Sequence, residues 1–225
     1  MSTKLSSNNY DLFAAIALQV ALELAAVGIP IFPARIFKRH AQSLKWEKKP
    51  LIRGWQKGAT TDPDQIRGWW DKYPNAVPGI ETGRAGLVVL DADRHGGPDG
   101  VSALEQLGKG HSLPVGPVIE TASNGRHHYF RQLEGRIILG SRGGLPQGID
   151  IKGSGGWVVA PGSVRPDGAS YRMAEGSPTL VETFPDKVPV LPTWIADLID
   201  KKPTSSTIHM SGSLSKQASS SMMET

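Results

Sequence analysis

An apolar run that ends in two carboxylates is the feature of this chain that most constrains its fold. Residues 87–93 read Leu-Val-Val-Leu-Asp-Ala-Asp, and the apolar, β-branched part of this run predicts a buried strand. Because side chains alternate along a strand, Asp91 and Asp93 point to the same side. Two carboxylates so close repel each other unless a cation lies between them, and Mg²⁺ binds through carboxylates together with substrate phosphates. The pattern is typical of metal-dependent phosphoryl or nucleotidyl transferases.

Two other interpretations of Asp91 and Asp93 stay open at this point. Aspartate is common in the turns where strands stop, and nucleotide-sugar transferases also use an Asp-x-Asp pair. A calcium-binding EF-hand loop is excluded, because His95 and Ser102 stand where that loop requires acidic or amide ligands.

The composition describes a globular chain with a modest excess of positive charge. Its 225 residues, 39% hydrophobic and 20% charged, suit one large domain or two small ones. The net charge of +4 fits a polyanionic partner. The chain has no cysteine, which excludes disulfides, cysteine zinc sites, iron–sulfur clusters and a thiol nucleophile. A reducing compartment is compatible with this, and we expect a cytoplasmic protein.

The longest apolar segment, residues 12–32, is predicted to hold a core helix that stops at Gly28, with a strand following over roughly residues 31–37, rather than a membrane span. It contains Gln19 and Glu23 and is broken by Pro30. Apolar side chains follow helical spacing at Leu12, Ile16, Val20, Leu24 and Val27. No membrane partner is therefore expected.

The end of the chain differs in composition from the rest. From Lys201 onward it is rich in serine and threonine and has few apolar residues, so it cannot bury a core. We predict a single catalytic domain over residues 1–200 and a disordered tail or linker over residues 201–225.

Strand patterns and glycine-rich turns dominate the second half of the chain. Residues 118–121 and 126–130 flank Asn124-Gly125, which is a strong hairpin signal. Residues 148–152 and 157–160 flank a second glycine-rich turn, residues 153–156, and predict another hairpin. With helices expected near residues 62–73, 99–107 and 192–200, the fold class is α+β with a mainly antiparallel sheet.

Four further side chains on the predicted strands could join the two aspartates. Asp150 and Lys152 share one strand face, which is compatible with an ordinary ion pair or with a third carboxylate that completes a two-metal site. The adjacent His127 and His128 must face opposite sides of their strand, so only one of them can reach such a site. The other would be a structural histidine.

The turn before His127 is a candidate anion-binding element. It brings Ser123, Arg126 and His127 close together in sequence with backbone N–H groups that are free to bind a triphosphate. A Walker-type phosphate loop is absent, because Gly108-Lys109 is followed by Gly110 rather than serine or threonine.

The order of these motifs resembles the archaeo-eukaryotic primases, and is most similar to the bifunctional primase-polymerase N-terminal domain of plasmids, phages and other mobile elements. The resemblance covers roughly residues 11–200 and departs at Asn124, where the family often has glycine. Its three main motifs are Asp-x-Asp at 91–93, Ser-Asn-Gly-Arg-His-His-Tyr-Phe at 123–130 and Gly-Ile-Asp-Ile-Lys-Gly at 148–153. Shorter segments agree at 28–33, 49–50, 54–55, 59–62, 79–83 and 158–163.

The resemblance implies a fold, a site and an activity. The fold would be α+β, with a mainly antiparallel catalytic sheet flanked by helices and an N-terminal α/β unit. The activity would be template-directed nucleotidyl transfer in DNA replication, with single-stranded DNA, dNTP or NTP, and a replicative helicase as partners. The implied site comprises Mg²⁺ or Mn²⁺ ligands at Asp91, Asp93 and Asp150, a triphosphate contact at His127, and supporting contacts at Ser123, Arg126 and Lys152.

One basic segment and one further alternative complete the expectations. The loop expected at residues 38–53 carries Lys38, Arg39, His40, Lys45, Lys48, Lys49 and Arg53, and is a candidate for phosphate contacts or simply a solvated surface. A non-catalytic replication accessory that binds single-stranded DNA is the alternative to an enzyme, although such a protein has no reason to keep three carboxylates.

Overall fold

The computed structural model describes residues 7–94, 96–140 and 143–201, with the side chains of residues 7–11 left out. The predicted tail, apart from Lys201, lies outside the described residues. The helices are α1 (Ser7–Ala26), α2 (Trp55–Gly58), α3 (Pro63–Lys72), α4 (Gly100–Leu107), α5 (Leu180–Thr183) and α6 (Thr193–Asp200), with a 3₁₀ turn at Gly108–Gly110. The strands are β1 (Ile31–Phe37), β2 (Glu47–Pro50), β3 (Val77–Glu81), β4 (Leu87–Ala92), β5 (Val118–Glu120), β6 (Arg126–Arg131), β7 (Ile149–Lys152), β8 (Trp157–Val159) and β9 (Arg172–Met173).

These strands form two antiparallel sheets. The first sheet has the order β2-β1-β3-β8, and the second has the order β7-β4-β6-β5-β9. The predicted α+β class with antiparallel pairing is confirmed. The N-terminal part of the chain builds most of the first sheet, but its fourth strand, β8, comes from the second half.

Both faces of strand β4, which lies between β7 and β6, are buried in two different cores. Leu87 and Val89 join a core that contains residues of both sheets and of α1. Val88 and Leu90 lie on the other face, in a second core that includes side chains of α4 and α6. The face of β4 that carries Asp91 is therefore the one turned toward the first sheet.

The first helix forms as predicted, but of the predicted apolar positions only Leu24 is fully buried. Leu12 is 56% exposed and Ile16 is 38% exposed, whereas Ala17, Ala21 and Leu24 are buried. Small alanine side chains let the helix approach the first sheet closely, and this favours the alanine face over the larger apolar residues. No helix among the described residues is long and apolar enough to span a membrane.

The first predicted hairpin is confirmed. Strands β5 and β6 pair in antiparallel register, with Ile119 opposite His127. Asn124 has a φ of 61°, a left-handed conformation that asparagine tolerates in turns. At Gly125, an added Cβ would lie 2.6 Å from the carbonyl oxygen of Ala92, so only glycine lets this turn pack against the end of β4.

The second predicted hairpin is wrong. Strand β7 pairs with β4 in the second sheet, while β8 pairs with β3 in the first sheet. The glycine-rich segment 153–156 therefore crosses between the sheets instead of closing a hairpin. Its start is held by Thr82, whose hydroxyl donates to the carbonyl oxygen of Gly153 at 2.6 Å.

Candidate active site

A cleft of about 590 Å³ opens where the two sheets meet. Side chains of the second sheet and its strand ends line one wall, including Asp91, Asp93, His127 and Lys152. The other wall comes from the first sheet and the segment before β2, with Trp46, Lys48 and Trp157 among its residues. We call the first wall, which carries Asp91 and Asp93, the acidic floor of the cleft. The wall facing it is basic and aromatic.

The register of three adjacent strands places Asp91 at the centre of the floor. Asp91 lies opposite Asp150 of β7 on one side and opposite His127 of β6 on the other. Residues directly opposite each other in an antiparallel pair share a face. Asp91, Asp150 and His127 therefore share one face of the sheet. Asp91 and His127 line the cleft, as does Asp93 just beyond the end of β4.

Asp91 is almost fully buried, at 4% exposure, and positive groups surround its carboxylate. Its Oδ1 atom lies 3.3 Å from Nε2 of His127, and its Oδ2 atom lies 3.5 Å from Nζ of Lys152. Burial alone would raise the pKa of Asp91, but His127, Lys48 and Lys152 hold it well below its ordinary value. The carboxylate is therefore ionised and ready to bind a cation.

The ammonium group of Lys152 lies between two carboxylates. It is 3.3 Å from Oδ2 of Asp150 as well as 3.5 Å from Asp91. Among the described residues, no three histidine, aspartate or glutamate side chains stand close enough together to hold a metal ion as they are placed. The oxygen donors of Asp91, Asp93 and Asp150 nevertheless match Mg²⁺ or Mn²⁺. The ammonium of Lys152 occupies the position between two of them, Asp91 and Asp150, where a cation would have to bind.

The two adjacent histidines lie on opposite faces of β6. His127 is 1% exposed, and both ring nitrogens lack a hydrogen-bond partner among the described residues. Its 3.3 Å approach to Asp91 is thus an electrostatic contact rather than an aligned hydrogen bond. Burial and the nearby positive groups lower the pKa of His128 to about 4, and its side chain lies in a different groove, beside Val118. Only His127 faces the aspartates.

Ser123 lies near the acidic floor, whereas Arg126 lies on the other side of the sheet. A small pocket adjoins the cleft and shares Asp91 and Asp93 with it, and we call this pocket the inner end of the cleft. Ser123 is one of its lining residues. Arg126 is opposite Ala92 in the register, so it points away from the Asp91 face. Its guanidinium pairs with Glu105 at 3.3 Å on the far side of the sheet. Closeness in sequence to the turn does not outweigh the alternation of the strand.

Comparison with known families bears directly on this arrangement. The family described as bifunctional DNA primase/polymerase, N-terminal, matches residues 21–194, more than three quarters of the chain. The chain belongs to this family. A comparison with curated individual proteins gave no match. All the strands that form the cleft lie inside the matched part of this primase/polymerase domain.

Three further residues line the inner end of the cleft: Lys48, Arg165 and Tyr171. Arg165 and Tyr171 were not predicted as site residues, and Lys48 was predicted only as one of several candidate phosphate contacts in a basic loop. Lys48 is an exposed residue overall, but its charged end points at Asp91, Asp93 and Tyr171. Burial of that end alone would lower the pKa of Lys48. The three neighbouring groups outweigh this effect, so the pKa is raised above its ordinary value. The alternation of β2, in which Lys48 pairs with the buried Ile36, is the sequence signal that could have singled it out.

Arg165 and Tyr171 gave no comparable signal, since both lie outside the motifs. Arg165 donates to Oγ of Ser123 at 3.1 Å and to the carboxylate of Asp167 at 2.7 and 2.8 Å. The ring of Tyr171 lies 6.0 Å from that of His127. Together they close the inner end of the primase/polymerase cleft.

Proposed function

We propose that this chain is the catalytic domain of a DNA primase/polymerase with the archaeo-eukaryotic primase fold. It would bind a single-stranded DNA template, pair an incoming nucleotide with it, and join that nucleotide to a 3′-hydroxyl or to an initiating nucleotide. The observation that carries the proposal is the register that puts Asp91, a residue of the cleft, opposite both Asp150 and His127 on one face of the sheet. Membership of the primase/polymerase family supports the choice of substrate.

Three carboxylates would hold the divalent cations that this chemistry requires, namely those of Asp91, Asp93 and Asp150. When bound, Mg²⁺ or Mn²⁺ lowers the pKa of the attacking hydroxyl and neutralises charge on the leaving pyrophosphate. Asp91 would be the central ligand, because it is the most buried of the three side chains and lies between β7 and β6.

The remaining polar residues of the cleft would bind the nucleotide triphosphate. His127 has a ring nitrogen, Nδ1, that is buried and unpartnered in the described chain, and a phosphate oxygen would satisfy it. Lys152 would exchange its carboxylate contacts for the phosphates as cations bind. Ser123, held by Arg165, would donate its hydroxyl to the same group.

The test is template-dependent incorporation of labelled nucleotides on single-stranded DNA in Mg²⁺ or Mn²⁺. We expect Asp91→Asn and Asp93→Asn to abolish incorporation while the proteins stay folded. Asp71→Asn, at an exposed position on α3, is the matched control and should retain wild-type rates. Near wild-type extension by either cleft variant at saturating metal would rule out the proposed role of that carboxylate.

The same assay separates the two alternative functions. A nucleotide-sugar transferase would consume its substrate without any template, and a non-catalytic accessory would bind single-stranded DNA without incorporating nucleotides. We propose replication of a plasmid, phage or other mobile element as the setting, in line with the motifs that the chain shares with such proteins.

A further inference from the structure

The segment that runs from β1 into β2 carries two aromatic rings, each contacted by two cations. We call residues 35–49 the basic hairpin. The guanidinium of Arg35 lies 4.5 Å from the ring centre of Phe37, and the ammonium of Lys49 lies 5.8 Å from it. At the other ring, Lys38 and Arg165 lie 5.1 and 4.8 Å from the centre of Trp46.

Most of the cation–aromatic contacts in the described part of the chain lie in this segment. Of the five cation–aromatic contacts in the described part of the chain, four involve Phe37 or Trp46. Proteins have on the order of one energetically significant contact per 70–80 residues. The only acidic residue between positions 35 and 49 is Glu47, which pairs with Arg39 at 3.1 Å. The hairpin is thus a basic surface with interleaved aromatic rings.

The pairing of β1 with β2 sorts these side chains onto two faces. Arg35 lies opposite Lys49, and Phe37 lies opposite Glu47, so this group shares one face. Ile36 lies opposite Lys48 on the other face, where Lys48 and Trp46 line the catalytic cleft. Trp46 therefore stands inside the cleft, whereas Phe37 lies on the opposite face of the sheet and is not among the residues that line the cleft. Glu47, opposite Phe37 at the start of β2, still reaches the cleft.

We propose that the basic hairpin is a binding surface for single-stranded DNA, with Trp46 as the stacking platform inside the cleft and Phe37 as the platform outside it. The inference rests on the proposed function, because the bound strand would be the template. It adds which element holds that strand and through which side chains.

The chemistry of the hairpin selects a single strand over a duplex. Every base offers a flat π surface to an aromatic ring, and in a duplex these surfaces are hidden by stacking. The flanking cations stand on long, flexible side chains. They can leave the ring to a base and pair with the backbone phosphates on either side of it. Neither contact depends on base identity, so the surface would bind without sequence preference.

Fluorescence anisotropy with a labelled oligo-dT of about 20 nucleotides tests the proposal without nucleotide or divalent metal. Stacking on an aromatic side chain is worth roughly 1–3 kcal/mol per base. We therefore expect Phe37→Leu and Trp46→Leu each to weaken binding by about fivefold or more, whereas Trp46→Phe keeps a ring and most of the affinity. Tyr73→Leu is the matched control, because Lys72 lies 5.3 Å from the Tyr73 ring outside the hairpin.

Charge variants keep the test valid if an aromatic variant fails to fold. Lys45→Gln and Lys49→Gln should each reduce the salt dependence, log Kd against log salt, by about 0.7 for each lost phosphate contact. Unlabelled duplex of the same length should compete poorly. Wild-type affinity in both leucine variants, or unchanged salt slopes in both glutamine variants, would overturn the proposal.

This outcome is independent of the proposed catalysis. The binding assay contains no nucleotide, so a failure of the hairpin leaves template-dependent incorporation to be measured separately. Conversely, a chain that binds DNA through Phe37 and Trp46 but never incorporates nucleotides would refute the enzyme and leave the hairpin in place.

Discussion

Replacing Lys152 with methionine probes the positive charge between the two carboxylates. At about 4 Å and an effective dielectric near 20, each ion pair is worth roughly 4 kcal/mol before desolvation. Asp150 is 53% exposed, so its share falls to about 0–1 kcal/mol. The pair with the buried Asp91 retains more, although His127 still faces that carboxylate and Lys152 itself loses hydration. We expect the metal-free variant to be about 1–2 kcal/mol less stable.

That loss would appear as a melting temperature lower by about 2–8 °C for a chain of this size. For metal binding we expect the substitution to be favourable, because the Lys152 ammonium and a divalent cation compete for the same carboxylate oxygens. Without the ammonium, Mn²⁺ should bind roughly fivefold more tightly or better, the equivalent of about 1 kcal/mol. Titration calorimetry or electron paramagnetic resonance of bound Mn²⁺, with no nucleotide present, measures this directly.

Lys109→Met supplies the control, since Lys109 is exposed on the 3₁₀ turn and its loss should change neither stability nor Mn²⁺ affinity. Equal or weaker Mn²⁺ binding by the Lys152 variant would show that the ammonium does not compete at the cation position. The account of the acidic floor given above would then be wrong.

Three further outcomes follow from the register and the packing. His127→Ala should weaken nucleotide binding in Mn²⁺ by roughly tenfold to a hundredfold, the value of a charge-assisted hydrogen bond, and a larger defect in His128→Ala by the same titration would mean that the faces are exchanged. Stability should fall by up to about 3 kcal/mol as the pH drops from about 6.5 toward 4, because unfolded His128 takes up a proton that the folded residue, with its pKa lowered to about 4, does not; urea midpoints that fall equally in His128→Gln would contradict this. Gly79→Ala should cost about 1–3 kcal/mol in urea unfolding, since the new Cβ would lie 2.5–3.0 Å from the ring atoms of buried Phe32, and wild-type stability there would refute the packing.

Local periodicity was enough to predict much of the acidic floor. Alternation alone separates His127 from His128, and a buried strand that ends in Asp91 is predicted by composition and pattern. The strand at Ile31–Phe37, the α3 start capped by Asp62, whose carboxylate accepts from the Asp64 N–H at 2.9 Å, and the hairpin at Asn124 are also local signals. In each case the information lies within a few residues of the element that it specifies.

Errors arose where the partner of a strand is distant in sequence. Gly153 looks like a hairpin glycine, but an added Cβ there would overlap the carbonyl oxygen of Ile138, a contact that no local pattern reveals. Lys48 and Tyr171 approach Asp91 from positions 43 residues before it and 80 residues after it. Only the assembled sheets bring them to the carboxylate.

The crossing at residues 153–156, which was predicted to be a hairpin turn, also explains why the cleft exists. Strand β7 supplies Asp150 and Lys152 to the acidic floor, and five residues after Lys152 the chain begins β8, whose Trp157 stands on the opposite wall. Had residues 149–159 closed a hairpin, β8 would lie beside β7 at the edge of the second sheet, and the first sheet would lack its fourth strand. The crossing instead connects the two walls of the cleft through residues 153–156 alone. An insertion that lengthens residues 153–156, or a substitution that makes them more flexible, should therefore change the width of the cleft before it changes either sheet.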